Sequence, residues 1–110
     1  MSSENTEYEI VQCVDRGLSV YGPSIKQTVY WQMLILYNLK MDEIPSNALA
    51  FSNSLSKILG SGGAVMAERA IANELIASFD LKWTGEKKMA PIIDYIMNSR
   101  VESVTAMVRE

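Results

Sequence analysis

The residue types that most often carry out catalysis or bind metal ions are scarce in this sequence. It contains no histidine and one cysteine, Cys13. Histidine is the usual general base near neutral pH, and it supplies catalytic triads and many zinc sites. A single cysteine can form neither an intramolecular disulfide nor a multi-cysteine metal site. The composition therefore predicts no catalytic residues, no metal ion and no cofactor, and it predicts a buried structural thiol at Cys13.

Carboxylates are the residues left that could support catalysis. The 13 Asp and Glu side chains are spread along the chain, over separate predicted elements. A carboxylate mechanism needs two such groups at a defined separation on either side of a substrate. An enzyme of this kind is an open alternative, and we predict a protein that is not an enzyme.

A glycine-rich run at 60–63 (GSGG) could bring backbone amides close to a phosphate at the start of a helix. A phosphate-binding Walker loop would continue with lysine and Ser or Thr, whereas Gly63 is followed by Ala64. A glycine at this point also ends helices, since it adopts positive φ without a steric penalty. We interpret Gly60 as the left-handed residue that ends one helix, and anion binding at 60–63 stays open.

Charge and composition limit the partners that the chain can have. Its 110 residues carry a formal net charge of -3, and its ten Lys and Arg residues are scattered. Proteins that bind nucleic acids usually cluster their basic residues, so the scattered charges argue against such binding. A helix-turn-helix built from residues near 46–59 and 64–79 is the alternative function. The residues expected on the outer face of its second helix, such as Met66, Asn73 and Ser78, include no Lys or Arg.

The overall pattern is that of a globular protein of ordinary size. With 48% apolar and 21% charged residues, residues 1–110 are expected to form one helical domain. The first nine residues are polar and acidic, unlike a signal peptide. The most apolar stretch, residues 29–39, is too short to cross a bilayer. We therefore expect a cytoplasmic protein without membrane attachment.

Apolar residues recur at spacings of three and four along nearly the whole chain, which predicts an all-α fold. Breaks at Gly22-Pro23, Ile44-Pro45, the 60–63 run and Gly85 divide the pattern into five segments. We predict a compact bundle of about five helices, over roughly 4–20, 23–40, 46–59, 64–79 and a last segment with Pro91 in its first turn.

The second predicted helix is apolar on more sides than a small bundle can easily cover. Tyr30, Trp31 and Tyr37 add aromatic rings to a helix that is already rich in Leu, Ile and Val. Such a helix lies either at the centre of its own bundle or against another protein. We predict a homodimer whose contact includes this helix, and a central position is the alternative.

Two charged residues interrupt apolar faces of the last two predicted helices. Glu68 projects between Leu75 and Phe79 on the 3.6-residue period, and Arg100 projects among apolar residues of its own helix. A lone buried charge is costly, so each residue needs a partner. We predict a Glu68–Arg100 ion pair, whereas the alternative is that both side chains reach solvent.

A loose pattern of residues between 17 and 79 carries a family resemblance. It consists of Gly17-Leu18, Gly22, Ile44-Pro45, Phe51, Leu55, Leu59-Gly60, Gly63-Ala64, Glu68, Leu75 and Phe79. In this respect the chain resembles a small archaeal family of uncharacterised all-helical domains, catalogued among candidate output domains of signalling proteins. The resemblance covers a little over half the chain. It implies a regulatory or signalling module that acts through protein contacts.

Overall fold

Helices account for the regular structure of the chain. The computed structural model describes the backbone of residues 2–109 and the side chains of residues 5–99. Four α-helices follow one another in this range, with short 3₁₀ turns at Ser19–Tyr21 and Met41–Glu43: α1 (Ser2–Leu18), α2 (Pro23–Tyr37), α3 (Ala48–Ser78) and α4 (Met89–Arg109). The predicted all-α class is confirmed, and the predicted number of five helices becomes four.

The boundary between α1 and α2 depends on two residues. Gly22 has φ 87° and ψ 163°, a conformation that residues with a side chain rarely adopt. Pro23 then occupies the first turn of α2, where its missing N–H leaves no hydrogen bond unmade. The predicted break at Gly22-Pro23 is confirmed.

The end of α2 lies three residues before the predicted end near Lys40. Asn38 adopts the left-handed conformation, with φ 52° and ψ 40°, and its N–H donates to the carbonyl of Leu34. Asparagine is one of the few residues that accept this conformation at low cost. The chain then turns back, and Leu39 packs into the core.

The predicted break between two helical segments is confirmed at Gly60, but the second segment begins directly after Gly60 instead of near Ala64. Only Gly60 leaves the helical conformation, and the residues after it are already helical, so that α3 is one helix with a sharp kink. The positive φ predicted for Gly60 is confirmed at 78°. Its ψ of 166° is extended, however, so Gly60 directly joins two helical segments instead of beginning a loop.

The other helix ends differ from the predictions by a few residues. α3 begins at Ala48, after Asn47, two residues later than the predicted start at 46. α4 begins at Met89, two residues before Pro91, which lies in the first turn as predicted.

The largest interface in the bundle joins α1 to α3. At its centre Gly17 lies directly against α3: a Cβ atom added to Gly17 would lie 2.5 Å from Ile71 Cγ1 and 2.7 Å from Ile71 Cα. On α3 the buried residues on either side of Ile71 include Ala67 and Ala72, which are small. Small residues on both helices therefore allow the two backbones to approach closely.

The buried apolar side chains among the described residues form one cluster, supplied mainly by α1, α3 and α4. Its largest fully buried members are Ile10, Val14, Leu18, Met33, Ile44, Phe51, Leu55, Ile71, Leu75, Met89, Ile92 and Ile93. The periodicity of 64–79 predicts an inward Val65, and that prediction is wrong, because Val65 is exposed.

Replacing Gly17 by alanine tests the close approach of α1 to α3. Alanine favours a helix over glycine by about 1 kcal/mol. At position 17, however, the new methyl group overlaps the Ile71 backbone, and overpacking of this kind costs about 1–3 kcal/mol. We therefore expect Gly17→Ala to lower the free energy of unfolding, measured by urea denaturation. Gly62→Ala is the control, since position 62 is helical with open space among the described residues, and it should be neutral or stabilising.

Replacing Gly60 by alanine tests the kink. An added Cβ atom meets no described atom within 4 Å, so any loss comes from the backbone conformation alone. The extended, positive-φ region is almost exclusive to glycine, and occupying it with another residue costs about 1–3 kcal/mol. We expect Gly60→Ala to destabilise the protein in the same denaturation assay. A gain in stability equal to that of Gly62→Ala would show that α3 is straight in solution.

Candidate functional site

The residues singled out from the sequence do not form one site. Tyr30, Trp31 and Tyr37 belong to α2, whereas Gly60 and Glu68 lie on α3. The side chain of Arg100 lies outside the described residues. The three aromatic residues of α2 are the group with the clearest surface role.

α2 is attached to the bundle along a single stripe. Val29 and Met33 are its buried residues, and Lys26 and Tyr30 are partly buried beside them. The helix packs on α3 and on the 3₁₀ turn that precedes it. α2 therefore lies at the edge of the fold, and the alternative of a central helix is wrong.

The rest of α2 presents large apolar side chains to solvent. Trp31 is 63% exposed, Ile35 58% and Leu36 62%, and the side chains of Ile25 and Leu34 are also exposed. A surface helix normally carries charged and polar residues on this side. The only charged residue within α2 is Lys26, which lies next to the buried stripe.

Tyr30 fixes α2 to α1. Its hydroxyl donates a hydrogen bond of 3.1 Å to Asp15 Oδ1, and Lys26 Nζ lies 3.1 Å from Asp15 Oδ2. Lys26 also donates to Ser19 Oγ. Burial, followed by the nearby Asp15 carboxylate, raises the pKa of Tyr30 well above its ordinary value. Tyr30 is thus an anchor of the helix and does not belong to its exposed surface.

Tyr37 holds the other end of α2 against α3. Lys57 Nζ lies 5.6 Å from the centre of the Tyr37 ring, a cation–π contact, and the ring is partly exposed. An open cleft of about 410 Å³ beside it is lined mainly by uncharged polar residues such as Asn47 and Asn53. Of the three predicted aromatic residues, therefore, Trp31 is the one that faces solvent most fully.

A hydrogen bond from the turn after α1 stabilises the kink at Gly60. Tyr21, in the turn after α1, donates a 2.7 Å hydrogen bond from its hydroxyl to the carbonyl of Gly63. A Cβ atom on Gly63 would lie 3.1 Å from the Leu59 Cβ, closer than is usual. Glycines at 60 and 63 therefore allow a sharp bend that the Tyr21 hydrogen bond stabilises. This structural role accounts for both glycines without a bound anion.

Glu68 reaches across this bend. Its carboxylate accepts a 2.9 Å hydrogen bond from Ser52 Oγ, and the residue is partly buried. It lines an open cleft of about 650 Å³ together with Arg69, Lys87 and Lys88. Its position between two inward residues suggested a deeply buried side chain, whereas Glu68 is only partly buried. Whether it pairs with Arg100 stays a prediction.

Cys13 is fully buried, as predicted. Its thiol donates to the carbonyl of Glu74 at 3.6 Å, and burial raises the pKa of the thiol. Arg16 forms an ion pair of 2.8 Å with the Glu74 carboxylate on the same side of α1. Ser78 donates a further hydrogen bond to Glu9. These polar contacts between α1 and α3 leave no pattern in the sequence, because their partners lie about 60 or more residues apart.

The structure bears on a metal site and on the helix-turn-helix considered from the sequence. Within the described part of the chain, no group of three or more Cys, Asp or Glu residues is placed to hold a metal ion. The two helices of the proposed helix-turn-helix are segments of α3 joined through Gly60 alone. Arg69 is exposed on the second segment, so the expectation of an outer face without basic residues is wrong.

No described helix is both long enough and apolar enough to cross a membrane.

Replacing Tyr30 by phenylalanine tests the anchor of α2. Loss of its hydrogen bond to Asp15 should lower the free energy of unfolding by about 1 kcal/mol at neutral pH. Because the folded protein raises the pKa of Tyr30, the unfolded chain releases this proton first, at its ordinary pKa of 10.0. The stability that depends on Tyr30 is therefore complete below pH 10 and is lost as the pH rises above it.

Urea denaturation between pH 8 and pH 11, a range chosen about the ordinary tyrosine pKa, measures this effect. The wild-type protein should lose more stability across that range than Tyr30→Phe. Tyr8→Phe, at an exposed tyrosine, serves as the control and should behave as the wild type. Equal losses in the wild type and Tyr30→Phe would show that the Tyr30 hydroxyl is neither buried nor held by Asp15 in solution.

Comparisons with known proteins add no assignment to this geometry. The chain matches no family model, no curated protein and no solved structure. The resemblance of residues 17–79 to an archaeal helical family therefore stays a prediction.

Proposed function

We propose that this protein is a non-catalytic regulatory or signalling-type module that acts through protein–protein contacts and self-associates as a homodimer through α2. The observation that supports the proposal is the exposure of Trp31, Ile35 and Leu36 on a helix that is held to its own bundle by one stripe. A cytoplasmic location is part of the same proposal, since a single buried cysteine suits a reducing compartment.

The physical argument concerns the cost of leaving apolar surface in water. Burying apolar surface contributes about 25 cal/mol per Å², and one large side chain contributes about 1.5–3 kcal/mol. Single exposed apolar residues are common on soluble proteins, but contiguous patches mark contact surfaces. On α2 the exposed residues Trp31, Leu34 and Ile35 lie within about one turn of one another on the same side of the helix. A protein partner is the simplest way to remove this surface from water.

The residue types of the patch also suit a protein contact. Tryptophan and tyrosine supply much of the binding energy at the centres of protein interfaces, where charged residues are depleted. Trp31 lies in such a setting, between Thr28 on one side and Leu34 and Ile35 on the other. A nucleic-acid surface would need basic residues at these positions.

Substitution on the exposed face of α2 tests the proposed association. We expect the wild-type protein to sediment as a dimer at tens to hundreds of micromolar, and Trp31→Glu to shift it to a monomer. A glutamate at the interface would have to be desolvated next to its own copy, at a cost of several kcal/mol. Tyr8→Glu is the control, because Tyr8 is equally exposed, at 67%, but lies on α1. It should leave the dimer intact.

The salt dependence distinguishes self-association from the nucleic-acid alternative. Each copy has a formal charge of -3, so added salt screens repulsion between the copies and should leave the dimer unchanged or stronger. Binding to nucleic acid weakens steeply with salt. A wild-type protein that sediments as a monomer at every concentration and salt level would contradict the proposal of a homodimer.

A further inference from the structure

We infer that two copies of this chain cross α2 helices at their C-terminal halves, with the two-fold axis next to Leu34 and Ile35 and the Trp31 rings packed beside it. This inference rests on the proposed self-association and specifies its contact. The contact surface is the outer face of α2, defined by Trp31, Leu34 and Ile35, and the protein that binds it is a second copy of this chain.

Helical geometry places this outer face directly opposite the attachment of α2. At 100° per residue, Leu34, Trp31 and Ile35 fall within an arc of about 100°. The midpoint between the buried residues Val29 and Met33 lies about 180° from Trp31 on the same count. Trp31 therefore points away from the bundle, and another protein can reach it without moving any part of the fold.

A difference in polarity along this face indicates where the helices cross. The N-terminal turns of the same face carry Ser24, Gln27 and Thr28, and the Thr28 hydroxyl already donates to the carbonyl of Ser24 at 2.9 Å. The C-terminal turns carry Trp31, Leu34 and Ile35. An antiparallel pair packed along its full length would bury the polar half against the apolar half, and a parallel pair would bury the two polar halves against each other. Crossing at the C-terminal halves buries apolar surface against apolar surface, as inclined helix pairs do over about two turns.

The absence of charge on this face favours a second copy as the partner. Across a two-fold axis each residue lies near its own counterpart, so a charged residue there would meet a like charge. The α2 sequence has one ionised side chain, Lys26, which faces Asp15 on the bundle side. The outer face is therefore compatible with its own copy, whereas it offers no charge that would select an acidic or basic partner.

The available area fits a weak dimer. If a fully exposed large side chain presents about 200 Å², the exposed parts of Trp31, Leu34 and Ile35 amount to roughly 330 Å² per copy. Polar residues at the margin add to this area. The total then reaches about 1,000 Å² for the pair, the low end of the range for specific contacts. We expect a dissociation constant in the micromolar range, with Trp31 supplying much of the affinity.

Disulfide formation between introduced cysteines locates the axis. A disulfide requires Cα atoms within about 7 Å of each other, so only a residue beside the two-fold axis links readily to its own copy. The test uses four variants of the full chain at exposed positions, Leu34→Cys, Ile35→Cys, Gln27→Cys and Leu36→Cys. Cys13 stays in place, because it is fully buried, and the wild type measures any background linking. Circular dichroism verifies that each variant is folded.

We expect Leu34→Cys or Ile35→Cys to form linked dimers on the order of tenfold faster than the other two variants under mild oxidation. Gln27→Cys reports on the N-terminal half of the same face, and Leu36→Cys reports on the opposite edge of α2. Fastest linking at Gln27 or Leu36, or no linking at any of the four positions in a protein that sediments as a dimer, would overturn the inference and leave the proposed self-association standing.

A purified chain that sediments as a monomer and links no faster than the wild type would overturn both the inference and the homodimer. That result would assign the outer face of α2 to a different protein or to a lipid surface. The sedimentation measurement and the linking pattern therefore separate failure of the dimer from failure of its proposed geometry.

Discussion

The close contact of Gly17 with the Ile71 backbone is the constraint on which the rest of the bundle depends. It sets how near α1 lies to α3, and only a residue without a side chain fits at that crossing. With α1 held there, Arg16 reaches Glu74 on α3 and Asp15 faces the other way, toward α2. The position of α2 thus follows from the position of α1, through the contacts that Asp15 makes with Lys26 and Tyr30.

The kink at Gly60 divides α3 into two segments that run in different directions. A straight helix of 31 residues would be about 46 Å long, whereas the kink turns the second segment in a new direction. The bend brings Ser52 on the first segment within a hydrogen bond of Glu68 on the second, and it places Gly63 where Tyr21 can bind its carbonyl. Two hydrogen bonds therefore stabilise the bend, and the conformational freedom of Gly60 allows it to form.

The exposed face of α2 has no role within the chain itself. Trp31, Leu36 and Ile35 make little contact with the bundle, so polar residues at these positions would leave the core as it is. The helix is already attached through Val29, Met33 and the Asp15 contacts. Because the exposed side chains are large and apolar and lie together, their physical consequence is a surface that binds another apolar surface, which is the basis of the proposed function.

The sequence by itself determined the helical class, the break at Gly22-Pro23, the positive φ of Gly60 and the burial of Cys13. These properties depend on local backbone preferences and on apolar spacing within one segment, which a sequence displays directly. Tertiary structure decided that α2 lies at the edge of the bundle, that residues 61–63 continue a helix, and that Glu68 meets Ser52. Such outcomes depend on which helices approach one another and how closely, and that is set by contacts such as Gly17 with Ile71 between residues 54 positions apart.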